Sequence, residues 1–260
     1  YDIISLGLDK KLGGIMDKLR ELQLVEKDCL DFFVKICEEN NLEYILDFGT
    51  LLGAARHKGF IPWDDDVDLG MPREDYERFL KIFEKYKNNG RFSLETYKRG
   101  AFYKLKDNNH YILNKDESKS EIDIDIFPLD YYDDVKKVDF LNGYLELSKD
   151  RSSVWRKWKT HFKREIHLKI LSNSFFKKRF ISKTKGPYIG RGVETGFKIK
   201  LNPVEKFFPL TEIEFEGKKY KAPKDYDNFL TLLYGDYMTP PENPAPLHHK
   251  HIKDIIKIEK

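Results

Sequence analysis

Cysteine is nearly absent from this chain, with two in 260 residues, so a disulfide-stapled scaffold is excluded. Cys29 and Cys37 stand eight residues apart in a helix-like stretch, too far along it to pair with each other. They read as two buried thiols, which fits a reducing cytoplasm. Long apolar runs are also missing, and none approaches the roughly 18 residues that cross a membrane. The first residues, YDIISLGLDKK, show no basic-then-apolar leader pattern. There are no internal repeats. Net charge is small, at +3, so the balance as a whole favours no class of partner. What remains is an ordinary globular composition, 40% hydrophobic and 35% charged. At this length the chain can bury a sizeable core.

The charges are unevenly placed. Between Trp155 and Lys185 eleven Lys or Arg face a single acid, Glu165, whereas the acids concentrate at 64–68 and 121–125. That separation points to a metal or phosphate site at the acids and to an anionic surface partner for the basic stretch.

Apolar spacing predicts a helix over residues 17–40, with Leu22, Val25, Cys29, Phe33 and Ile36 on one stripe. A short strand, Tyr44 to Leu46, runs into Gly49-Thr50, and LLGAAR (51–56) has the composition of a short helix closed by Gly59. An aspartate-bearing strand follows Pro62, and an amphipathic helix follows Pro72 with Tyr76, Phe79, Leu80 and Phe83 inward. Short strands are predicted at 92–97, 101–106 and 111–113. EIDIDIFPLD alternates strictly, with Glu121, Asp123 and Asp125 on one face, and Pro128 is expected to end it. Helices over 134–149 and about 153–171 come next, then a Gly-rich loop, KGPYIGRGVETG. A β-like piece (FEGKKYKAP), a helix (DYDNFLTLLYG) and a proline-rich tail complete the chain.

The acids carry the chemistry. Asp66 and Asp68 alternate before an apolar run, so on a strand they share a face. Two carboxylates about 6.5 Å apart repel by about 2.5 kcal/mol at an effective dielectric of 20. A fold that keeps such a pair holds a cation or a proton with it. A second Asp-x-Asp strand could aim three or four carboxylates into one pocket suited to Mg²⁺ or Mn²⁺. Backbone N–H groups at Gly49 and Thr50 open a helix and can receive a phosphate, and Arg56, His57 and Lys58 can add donors. Asp64 and Asp65 read as a solvated acidic turn or as caps.

The segment GTLLGAARHKGFIPWDDDVDLGMPREDYERF, with DIFPLD at Asp125 to Asp130 and YGDYMTPP at Tyr234 to Pro241, closely resembles the LicD family of bacterial phosphocholine transferases. The fukutin-type phosphoribitol transferases share the first block more loosely. The resemblance implies an α+β, nucleotidyltransferase-like mixed sheet flanked by helices, with a largely helical C-terminal part. The expected division is a catalytic core over 1–135 and a recognition region over 136–260 packed on it. Asp66 and Asp68 become the metal pair and Asp125 the third carboxylate, with Asp123 as runner-up. Gly49 and Thr50 take the place of the turn near the nucleotide phosphates. Nothing in 140–200 matches a family motif.

The expected reaction moves phosphocholine from CDP-choline to a hydroxyl of a glycan or lipid-linked glycan acceptor, with Mg²⁺ or Mn²⁺ bound and CMP released. The alternatives are a CDP-ribitol, CDP-glycerol or CDP-ethanolamine donor, a nucleotidyltransferase releasing pyrophosphate, and a non-catalytic binding module. A quaternary ammonium calls for aromatic faces, and Trp63, Tyr234 and Tyr237 are the candidates. His248, His249 and His251 lack a clear fourth ligand for zinc; His248 is a candidate phosphate or acceptor contact. The stripe Trp155, Trp158, Phe162, Ile166 and Ile170 with its flanking lysines is a basic helix, which could dock at an anionic inner membrane surface through residues 155–185. No nucleic acid is expected, and a cytoplasmic location, peripheral at that membrane face, follows from the same reading.

Overall fold

Residue 125 lies near the middle of β5 (Lys119–Tyr132), the longest strand of the sheet, and the other elements are arranged around it. A computed structural model describes residues 2–86, 90–97, 100–147, 173, 177–240 and 251–259, with side chains described from residue 17 and not at 144–147. The helical stretch expected over 153–171 and His248 and His249 lie outside the described residues.

Strict alternation does produce the central strand. Ile122, Ile124 and Ile126 turn into the interior, while Asp123 and Asp125 share the opposite face. On one edge β5 pairs in parallel with β2 (Asp68–Pro72), with Asp68 level with Asp125. On the other edge it pairs antiparallel first with β4 (Phe102–Asn114), which places Lys104 level with Asp125, and then with β6 (Tyr188–Arg191). The sheet is completed by β1 (Ile45–Leu46) beside β2, by β3 (Phe92–Tyr97) and β10 (Ile252–Lys257) on β4, and by β7 (Asn202–Pro203) on β6. Strands from beyond residue 136 thus share one sheet with those before it. The predicted strands at 101–106 and 111–113 are one strand, irregular between Asp107 and Ile112.

Pro128 does not end β5. Its carbonyl accepts from the Gly192 N–H at 2.8 Å, so its nitrogen faces the same edge. There β4 pairing has stopped at Ile126 and β6 pairing starts only at Leu129. The missing N–H falls where no partner needs it. The expected Gly-rich loop at 185–196 is likewise corrected, since Tyr188–Arg191 is a strand followed by a short 3₁₀ turn at Val193–Thr195.

Helices α1 (Asp2–Glu39), α2 (Phe48–His57) and α3 (Arg73–Phe83) cover the sheet's apolar face. The main core joins Cys29, Phe33 and Ile36 of α1 to Leu69, Met71, Tyr76, Phe79, Leu105, Ile124 and Ile126. Both cysteines are free and buried. Helix α4 (Val135–Leu147) packs with Tyr132, Val193 and Ile199 in a second cluster. Beyond residue 200, α5 (Val204–Phe207), the hairpin β8 (Thr211–Phe215) and β9 (Lys218–Ala222), and α6 (Tyr226–Tyr234) follow. Among the described residues no helix is long and apolar enough to cross a membrane.

The corner between β2 and α3 is fastened by charge. Arg73 grips Asp130, one residue past the β2–β5 pairing, through Nε–Oδ1 at 2.8 Å and Nη2–Oδ2 at 2.6 Å. Its Nη2 also lies 2.8 Å from Glu194, which Lys177 meets at 3.0 Å. Asp130 and Glu194 are both buried. Removing one partner of such a network leaves an uncompensated buried charge. Arg73→Leu is therefore expected to cost about 3–5 kcal/mol in urea unfolding, and Arg73→Leu with Asp130→Leu markedly less. A cost below about 1 kcal/mol for the single change would contradict the assignment.

Candidate active site

Four side chains form a row across the sheet. Asp47 follows β1 and its N–H donates to the Asp68 carbonyl at 2.9 Å; Asp68, Asp125 and Lys104 then stand level on β2, β5 and β4. Lys104 Nζ lies 2.8 Å from Asp125 Oδ1 and 2.6 Å from Asp123 Oδ1. Only the Asp123 contact has hydrogen-bond geometry, and Asp125 Oδ1 is buried without accepting a hydrogen bond. At the other end of the row Arg191 Nη2 donates to Asp47 at 2.7 Å. A run of negative charge is thus bounded by one cation on each side.

The turn before β2 adds Asp64, Asp65 and Asp66, which can bring one oxygen each within 4.8 Å of one another. Asp66 lies just before the strand, which begins at Asp68. It remains close enough to raise the pKa of both Asp68 and Asp125. A cleft of about 290 Å³ opens here, lined by Asp65, Asp66, Asp123 and Asp125 with Glu26, Glu121 and Lys104. Only 8% of Asp68 is exposed. Burial first, then the charges of Asp66, Asp125 and Asp47, push its carboxyl well above the usual range. Burial also raises Asp125, to about 6, against the opposing pull of Lys104. Buried carboxylate oxygens without a hydrogen bond, Asp47 Oδ2 and Asp125 Oδ1 in the row and Glu26 Oε2 in the cleft, suit a hard divalent cation. The donor set therefore fits Mg²⁺ or Mn²⁺.

Helix α2 faces this row with its N-terminus and begins earlier than its composition suggested. Asp47 is the N-cap, so Gly49 and Thr50 lie in the first turn. Thr50 Oγ1 accepts from the Asp68 N–H at 2.8 Å and locks helix to strand. A Cβ on Gly49 would sit 2.5 Å from Asp64 Oδ2, so any side chain there would displace the acidic turn. Phe48 holds φ at +41°, costly for a bulky residue. Asp47 Oδ1 accepts from its N–H at 2.8 Å, and the Arg191 guanidinium lies 3.1 Å from its ring centroid; both contacts hold that conformation.

The other expected donors are not brought to this end of the helix. Arg56, His57 and Lys58 sit at the C-terminus of α2, roughly 10 Å along its axis from Gly49 and Thr50. There Arg56 donates to the Tyr237 carbonyl at 3.2 Å, His57 packs edge-on to Trp63 at 6.5 Å, and Lys58 pairs with Glu214 at 3.3 Å. Tyr237 is buried in the core with its hydroxyl on Asp227 at 2.7 Å. Tyr234, at the end of α6, lies close enough to Asp47, Asp68 and Asp64 for their charges to raise its pKa, after burial. In the basic segment Lys177 is committed to Glu194, while Lys178 and Arg179 are exposed.

Sequence reasoning passed over Lys104, Arg191 and Asp47. A signal for the first existed, since KLK at 104–106 alternates opposite EIDID, and Lys106 does pair with Glu121. Asp47 directly before FGT was legible as an N-cap. Arg191 had no local signal.

Comparison with known proteins bears on this geometry. Residues 41–151 match the family model described as LicD/FKTN/FKRP, nucleotidyltransferase domain. Over 254 residues the chain is 33% identical to the lipopolysaccharide cholinephosphotransferase LicD of Haemophilus influenzae, covering 89% of this chain and 96% of that protein. The chain belongs to the LicD family. A LicD-family relative of different specificity, the mouse ribitol 5-phosphate transferase FKRP, is 25% identical over 222 residues, which are 83% of this chain and 32% of FKRP. The named LicD relatives are thus transferases of alcohol phosphates, and the alcohol differs between them.

The raised Asp125 pKa has a consequence for the metal-free protein. The folded chain favours the neutral carboxyl, so its stabilising contribution is complete below the ordinary carboxylate range near 4. It is lost as pH rises through about 6. In EDTA, Asp125→Asn is expected to melt above the wild type at neutral pH, and the gap should close as pH falls below about 4. A gap independent of pH would show that Asp125 is not held in this environment.

Proposed function

We propose that the chain transfers phosphocholine from CDP-choline to a glycan hydroxyl, releasing CMP. The observation that carries this reading is the row Asp47–Asp68–Asp125–Lys104 in front of the α2 N-terminus, in a chain of the LicD family. Asp66, Asp68 and Asp125 would hold a divalent cation, Mg²⁺ or Mn²⁺, which would supply positive charge against the donor phosphates and the departing CMP. The N–H groups of the first turn of α2 receive a phosphate oxygen. Asp125 takes the proton of the acceptor hydroxyl as it attacks the choline-bearing phosphorus. Lys104 holds Asp125 in place and limits its basicity. Arg56, His57 and Lys58 fall outside this chemistry because α2 carries them away from it.

The alcohol end has a place beside the row. Phe127 follows Asp125 by two residues on the same face of β5. Its ring lies 5.7 Å from Phe48 and 5.6 Å from Phe197. Phe197 is 42% exposed, so the cluster presents an aromatic face suited to a quaternary ammonium. Phe197→Ala is expected to raise KM for CDP-choline while leaving turnover of CDP-ribitol, if any, unchanged. Equal loss with both donors would remove the aromatic face from alcohol recognition.

Release of CMP from CDP-choline, CDP-ribitol, CDP-glycerol and CDP-ethanolamine, each with Mg²⁺ and acceptor, decides the donor. Pyrophosphate release from a nucleoside triphosphate would favour the nucleotidyltransferase alternative instead. Asp68→Ala or Asp66→Ala should fold and lose about 10³-fold in rate, roughly 4 kcal/mol. Asp125→Asn should lose far more than Asp123→Asn, since the register sets Asp125 level with Asp68. Near-normal turnover in the Asp68 variant would remove the metal role.

A further inference from the structure

Strands β4 and β5 separate beyond the carboxylate row. They pair from Tyr103 and Ile126 to Asp107 and Ile122, and again at Ile112 with Ser120. Four residues of β4, 108–111, therefore stand against Glu121 alone. A bulge of this kind interrupts the ladder and re-aims the side chains beside it. A groove of about 650 Å³ lies there, within the roughly 300–1,000 Å³ of small-ligand clefts. The proposed reaction assigns nothing to it.

Alternation puts the groove on the face of the sheet that carries Asp125. Asp125, Asp123, Glu121 and Lys119 follow one another at every second position of β5. Glu121 lines both the acidic cleft and the groove, and Lys106 of β4 pairs with it. At ~3.3 Å per residue, Glu121 is about 13 Å and Lys119 about 20 Å along β5 from Asp125. Tyr111 and Ile256, level with each other on β4 and β10, give the groove apolar surface. The exposed Lys119 holds its ammonium 4.4 Å from the Tyr111 ring centroid. His110 Nδ1 lies 3.1 Å from Oδ1 of the fully buried Asp107, whose Oδ2 accepts from Arg91 Nε at 2.6 Å. That carboxylate takes the Nδ1 proton of a neutral imidazole and leaves Nε2 as an acceptor. An aromatic ring, a donor and an acceptor around one groove match a sugar, which offers a C–H face and a rim of hydroxyls.

We infer that this groove is an acceptor subsite, which holds one sugar of an oligosaccharide whose reactive hydroxyl reaches Asp125. The inference rests on the proposed transfer to a glycan and adds where that glycan lies. It also sets a length: one sugar does not span from Tyr111 to Asp125, so the acceptor has more than one. Donor alcohol and acceptor chain then take opposite ends of the same strand, with Phe127 on one side of Asp125 and Lys119 on the other.

Retention of the protein on an array of bacterial surface oligosaccharides and their constituent monosaccharides tests this without any turnover. The wild type should be held by at least one oligosaccharide and by no monosaccharide. Tyr111→Ala should weaken that retention by at least about tenfold, as truncation of a central aromatic contact does. Lys119→Ala should weaken it too, and that change is at an exposed position where folding is not at stake. Both variants should bind CDP-choline as the wild type does. Oligosaccharide retention unchanged in both variants, or absent from the wild type, would overturn the inference and leave the donor chemistry standing. Weaker CDP-choline binding in the variants would give the groove to the donor and overturn it equally. Retention that depends on Tyr111, in a protein that releases no CMP from any CDP-alcohol, would keep the sugar site and remove the proposed function.

Discussion

The parallel pairing of β2 with β5 is the constraint on which the site depends. Side chains alternate with a period of two, so a slip of one residue would set Ile124 or Ile126 opposite Asp68 and turn Asp125 into the core. Three independent contacts oppose that slip. Leu69, Met71, Ile124 and Ile126 are all fully buried, so moving any of them outward forfeits apolar burial. The Asp125 N–H donates to the Val67 carbonyl at 2.8 Å, which fixes the pairing at its start. Arg73 and Asp130 close it at the far end with two charge-assisted bonds. The carboxylates themselves would separate if they could, so the register must be held by groups on either side of them.

Electrostatically the row is a compromise between folding and function. Folding stability is only about 5–15 kcal/mol in total, so repulsion of a few kcal/mol among clustered acids consumes much of it. Arg191 and Lys104 reduce that cost at the two ends, and both contacts involve acids that would otherwise be buried among like charges. Neither cation reaches the centre of the row. The charge at the centre of the row, on Asp68, therefore lies beside the first turn of α2. A structural role alone would be met better by apolar residues of similar volume.

The strands and helices of the first 135 residues were largely legible because their hydrophobic periods were clean. EIDIDI shows period two without interruption, and the stripe of α1 shows period 3.6. Errors came where partners outside the segment decide. Pro128 looked like a stop because its missing N–H is harmless only at a handover between two neighbouring strands. GPYIGRG looked like a loop because its four strand residues depend on the edge of β5. Arg56, His57 and Lys58 are close to Gly49 in sequence, but a helix converts that nearness into separation. Glu26 was invisible for the opposite reason: within ELQLVEKDCL it resembles any solvated acid on an amphipathic helix, and only the fold buries it in the cleft with Asp65 and Asp66.

The parts of the site also divide along the chain. Residues 41–151, the span of the family model, contain Asp47, Asp66, Asp68, Lys104 and Asp125, which are the groups suited to handling a phosphate and a proton. Arg191 and Phe197 lie after that span, and Glu26 lies before it. Relatives named for choline phosphate and for ribitol 5-phosphate need the same treatment of phosphorus but different treatment of the alcohol. The carboxylate row is kept within one continuous segment and is closed by Arg191 from outside it. The β5 edge makes this physically workable, because β4 and β2 fix Asp125 before β6 brings Arg191 to the far end of the same strand.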